Sequence, residues 1–72
     1  MAAITNGSTL DNGAHVILIN ESKTVVFAEF RNEYVTWRMD SQGGCFWGHY
    51  FGDNINEGIK SYQERAAIAG AL

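Results

Sequence analysis

The chain has 72 residues, a net charge of −3 and a pI near 5.1. That length allows one domain with a small core, so extra stability from association or binding is expected. The acidic balance and scattered basic residues argue against nucleic-acid binding, a single cysteine excludes an internal disulfide, and no apolar run approaches the ~20 residues that span a bilayer.

Residues 1–13 are small and polar, with Asn6-Gly7 and Asn12-Gly13 marking turns, and are expected to form a flexible N-terminal arm that packs Leu10 against the body. Residues 14–72 are expected to form a single α+β domain. His15 to Ile19 is an apolar run of strand length. Thr24 to Phe30 is rich in β-branched and aromatic residues, and Tyr34 to Met39 alternates. Cys45 to Phe51 is the most unusual segment, with four aromatic residues in seven. The connections between these runs are short, which joins antiparallel neighbours and predicts a four-stranded antiparallel β-meander. Asn54-Ile55-Asn56-Glu57 resembles a capping box, and Ile55, Ile59, Tyr62 and Ala66 follow at helical spacing. One C-terminal helix packed on one face of the sheet is therefore expected, with Gly58 letting it approach Trp37 or Trp47 closely.

Turn chemistry predicts register, and register assigns faces. A two-residue turn at Arg31-Asn32 pairs Phe30 with Glu33, Ala28 with Val35 and Val26 with Trp37. A three-residue turn at Ser41-Gln42-Gly43, with Gly43 left-handed, pairs Met39 with Cys45 and Trp37 with Trp47. Pairing Ile19 with Thr24 places Ile17 beside Val26. One face then collects Ile17, Ile19, Val26, Ala28, Phe30, Val35, Trp37, Met39, Cys45, Trp47 and Phe51, and as the more apolar face it is expected beneath the helix. The other carries Val16, Leu18, Val25, Phe27, Glu29, Tyr34, Thr36, Arg38, Phe46, Gly48 and Tyr50.

Residues with chemical potential do not converge. Cys45 and His49 share a face of a regular strand but lie ~13 Å apart, too far for one metal or a nucleophile–base pair. Gly43-Gly44 is followed by neither a helix nor a Gly-Lys-Ser/Thr sequence, so it is not a phosphate loop. Glu29 and Arg38 are expected to pair diagonally on a solvated face. No metal or cofactor site and no catalytic residue is therefore expected.

The second face is the functional clue. Phe27, Tyr34, Phe46 and Tyr50, bordered by Arg38, are expected to form an exposed aromatic surface that recognises a partner, because these residue types concentrate binding energy. The arm folding over this face is the competing expectation. The edge at His15 to Ile19 offers strand addition as a second mode.

Tyr34-Val35-Thr36-Trp37, Gly44-Cys45-Phe46-Trp47-Gly48-His49-Tyr50-Phe51 and Ser61-Tyr62-Gln63-Glu64-Arg65 together resemble a pattern in small β-sheet-plus-helix proteins of bacteria and their phages. The resemblance covers about the C-terminal half. It implies a mobile-element setting and transfers no active site. The expectation is a non-enzymatic protein-interaction module, of the kind a phage encodes to inhibit a host defence protein (anti-CRISPR type). The alternative is a structural or regulatory domain acting through homo-oligomerisation. A protein partner or a second copy is expected, without membrane or nucleic acid. The reduced cysteine and the absence of a basic-then-apolar opening give a cytoplasmic expectation, in the host cell if phage-encoded.

Overall fold

The computed structural model describes residues 6–71, with side chains described for 6–68. Strands β1 (His15–Ile19), β2 (Val25–Phe30), β3 (Glu33–Met39) and β4 (Cys45–Tyr50) are followed by helix α1 (Ile55–Ala71). The strands pair antiparallel in the order β1-β2-β3-β4, which is the expected meander.

Two of the three turns form as their residues dictate. Arg31 and Asn32 take φ values of 52° and 66°, the geometry of a two-residue hairpin turn. Phe30 therefore faces Glu33, Ala28 faces Val35 and Val26 faces Trp37. Gly43 has φ 83°, and Met39 faces Cys45. Asp40 stabilises that turn by accepting from the backbone N–H groups of Gln42 at 2.9 Å and Gly44 at 2.8 Å. The first hairpin departs from expectation. Asn20 Oδ1 accepts from the N–H groups of Thr24 and Val25 at 2.9 and 3.0 Å, which draws Thr24 into the turn. Ile19 consequently pairs with Val26 rather than Thr24, and the register shift between Val16 and Leu18 puts Val16 on the Trp37 face instead of the outer one expected for it.

Apolar groups fill both faces of the sheet. On one, Val26, Ala28, Val35, Trp37 and Met39 meet Val16, Leu10 and Ala14. The helix was expected to cover this face, and it does not. It lies on the opposite one, where Gly58 rests against the ring of Phe27 and Ser61 Oγ is 3.0 Å from Thr36 Oγ1. A Cβ at Gly58 would collide with Phe27. The glycine does permit a close approach, but to Phe27 rather than to either tryptophan. The small and polar side of the helix matches the buried hydroxyl of Thr36, which no aliphatic residue would satisfy.

The arm explains why the Trp37 face can dispense with the helix. Residues preceding β1 run back along its outer side: Gly7 N–H donates to the Val16 carbonyl and Val16 N–H to the Ser8 carbonyl, both at 2.8 Å. Thr9 bridges to His15, and the turn that follows carries Leu10 and Ala14 into the core. The described arm residues thus occupy the edge at His15 to Ile19 that was expected to be open to strand addition. Residues 1–5 of the expected arm lie outside the described residues. Between the two covers, Val25, Val26, Phe27 and Ala28 of β2 are all fully buried, as a strand covered on both faces requires. Asn54 caps α1 by accepting from Glu57 N–H at 3.2 Å.

Candidate functional site

With the outer side of β1 occupied, β4 is the edge of the sheet with no strand beside it among the described residues. Its pairing with β3 begins regularly, Met39 facing Cys45 and Arg38 facing Phe46. Then the register shifts, and Thr36 faces His49 and Val35 faces Tyr50. Trp47 and Gly48 together oppose Trp37, which is a β-bulge. Trp47 takes φ 53°, a left-handed conformation that is strained for a bulky side chain.

The expected pairing of Trp37 with Trp47 is overturned by what fills the surface of Trp37. Gly48 sits over the indole so closely that a Cβ there would lie 2.7 Å from Nε1. Tyr50 packs edge-on against the same ring, with centroids 6.2 Å apart and planes at 89°. No room remains for a second indole, and Trp47 is turned out to 70% exposure while Trp37 keeps 6%. Two contacts hold the displaced residue. Arg65 of α1 donates from Nη1 to the Trp47 carbonyl at 2.6 Å. Phe46 meets the Trp47 ring in a T-shaped contact, with centroids 5.0 Å apart.

The extra residue also swaps the faces of everything beyond it. The expected recognition cluster is therefore divided. Phe27 is fully buried beneath the helix. Tyr34 is half-buried and stacks on it at 5.7 Å. Arg38 is half-buried and donates from Nε to the Thr24 carbonyl at 3.3 Å, rather than pairing with Glu29. Phe46 lies directly across from Arg38 and is 36% exposed. Tyr50 is 49% exposed but sits on the Trp37 face, with Phe46 on the other. The structure thus keeps Arg38 and Phe46 together and adds Trp47 and Arg65, which the sequence reading placed in the core and on the helix without a role. Gly48 was the available signal, since a glycine inside a strand marks bulges and close backbone approach.

The bulge also separates Cys45 from His49. Cys45 is across from Met39 and His49 across from Thr36, so they lie on opposite faces rather than sharing one. Burial, with the Asp40 charge adding to it, pushes the Cys45 thiol up from its ordinary pKa, which disfavours the thiolate that nucleophilic chemistry needs. His49 and Phe51 line a shallow groove with Glu57, Lys60, Ser61 and Glu64 of α1. The Ser61 hydroxyl in this groove is engaged with Thr36. Among the described residues no three His, Cys, Asp or Glu side chains are grouped to hold a metal ion, and no helix is long and apolar enough to cross a membrane.

Comparison with protein-family models, with curated proteins and with solved structures finds no match to this chain.

Proposed function

We propose that the chain is a non-enzymatic protein-interaction module whose contact surface is the bulged edge strand β4, centred on Trp47 with Phe46 and Tyr50 on either side. The observation that carries this reading is a tryptophan 70% exposed in a left-handed backbone conformation. Such a conformation costs about 1–3 kcal/mol, and the edge contact with Phe46 still leaves most of the indole in water. Bulges recur where a side chain is re-aimed next to a site. Tryptophan, tyrosine and arginine are the residues that concentrate binding energy at interfaces. The partner we propose is a host defence protein, the class implied by the sequence pattern of the C-terminal half.

Affinity capture from a bacterial lysate tests the proposal. The wild type is expected to retain a protein that Trp47→Ser, equally stable, does not. Retention of the same proteins by both would refute it. A second reading, association of two copies edge to edge, is favoured by the unaccompanied side of β4. Sedimentation across micromolar to millimolar concentrations decides it, a monomer throughout removing that reading.

A further inference from the structure

Arg38 and Arg65 reach the same stretch of β4, behind the exposed aromatics, from β3 and from α1. Arg38 projects from β3 opposite Phe46, and Arg65 reaches from α1 to the carbonyl of Trp47, the next residue along β4. Each makes one bond to a backbone carbonyl, Arg38 through Nε to Thr24 and Arg65 through Nη1 to Trp47. Among the described residues neither has a carboxylate partner. Glu64, beside Arg65 in sequence, lines the groove on the His49 side instead. The crowding is felt electrostatically: burial and, after it, the Arg38 charge lower the pKa of Arg65. Two positive charges on this side of β4, without a carboxylate partner among the described residues, form a local field opposite in sign to the net charge of −3.

We infer that the partner segment docking on β4 is an acidic peptide stretch, whose carboxylate is received by Arg38 and Arg65 while an adjacent apolar side chain packs on Phe46 and Trp47. This inference rests on the proposed role of β4 and specifies its partner. A guanidinium presents five N–H donors in a planar fork that matches a carboxylate. The bonds to Thr24 and Trp47 fix one corner of each fork and leave the remaining donors for a ligand. Complementary charge at such a site sets partner choice and association rate. Nucleic-acid binding draws on contacts to many phosphates, more than two guanidinium groups provide.

The test uses the full chain and a random copolymer of glutamate and tyrosine, with an oligo-deoxythymidine strand as the second probe. Anisotropy of the dye-labelled copolymer or oligonucleotide is the readout, which depends on neither tryptophan. The copolymer's anisotropy is expected to rise on titration with the chain, with binding weakened by added salt. Arg38→Gln is expected to weaken it about tenfold, the size of one charge-assisted contact. Unchanged copolymer affinity in Arg38→Gln, an absence of copolymer binding, or tighter binding of the oligonucleotide would each overturn the inference. Binding insensitive to Arg38→Gln but lost in Trp47→Ser would overturn the acidic partner alone and leave the aromatic contact surface standing. Binding insensitive to both would count against the proposed role of β4 as well.

Discussion

The Arg65 side chain is bonded to the backbone carbonyl of Trp47, 18 residues earlier, at 2.6 Å. This contact ties α1 to the bulge of β4 and spans the only departure from regular pairing between β3 and β4. Removing it with Arg65→Ala is expected to cost about 1 kcal/mol, as for an exposed hydrogen bond from a charged donor. The larger effect is expected on order at the bulge. Backbone amide exchange at Trp47 and Gly48 should quicken in the variant while β2 amides stay protected. Unchanged exchange at both positions would show that the bulge holds itself.

The two tryptophans are expected to respond oppositely to truncation. Trp37→Ala removes a buried ring and is expected to destabilise by about 3–5 kcal/mol, enough to unfold much of so small a domain. Trp47→Ser touches a side chain in water and is expected to stay within about 0.5 kcal/mol of wild type. Urea unfolding of both variants checks this. Equal losses would mean that Trp47 is packed against the body.

Gly58→Leu tests which face the helix covers. Overpacking against Phe27 costs about 3 kcal/mol, against about 1 kcal/mol gained in helix propensity, so a net loss near 2 kcal/mol is expected. Combining it with Phe27→Ala, which opens the space the leucine needs, is expected to cost less than the sum of the two single changes. Strict additivity, or a stabilised Gly58→Leu, would place the helix elsewhere.

The Cys45 thiol is held above its ordinary pKa of 9.0 by burial first and the Asp40 charge second. The folded state therefore holds this proton more tightly than the unfolded state. The associated stability is complete below pH 9.0 and is lost as pH rises through the folded value. Alkylation of the native protein by iodoacetamide is expected to show a midpoint above 9.0, moving down to the ordinary value in urea. A native midpoint below that of the urea-unfolded chain would contradict the burial of the thiol.

Much of the architecture was legible because turn chemistry is local. Asn32 and Gly43 announce left-handed positions, and the registers they set between β2 and β3, and at the start of β4, are those observed. Asn54 likewise announces the start of α1. The faces were harder to read, because which cover goes on which side is a tertiary choice. Leu10 packs into the core as its place in the arm implied, but among the described arm residues it is the one large aliphatic, too little to show which face the arm would cover. Of the stripe expected on α1, Ile59, Tyr62 and Ala66 are half-buried, and the closest approach to the sheet is at Gly58. Ile55 and Ile68 remain exposed. The site was the least legible, since a one-residue bulge at Trp47-Gly48 inverts the parity that assigned Trp47, His49 and Tyr50 to faces. The energetic reason for that bulge lies across the strand, in the indole of Trp37 that Gly48 and Tyr50 cover.

Photo-crosslinking from position 47 tests the central claim most directly. Benzoylphenylalanine replaces Trp47 in one variant and Glu21, in the exposed turn between β1 and β2, in another. Both are irradiated in a bacterial lysate or, for a second copy, with purified chain. The account predicts a discrete covalent adduct from position 47 and none from position 21. Adducts from position 21 alone, or equally from both, would contradict it.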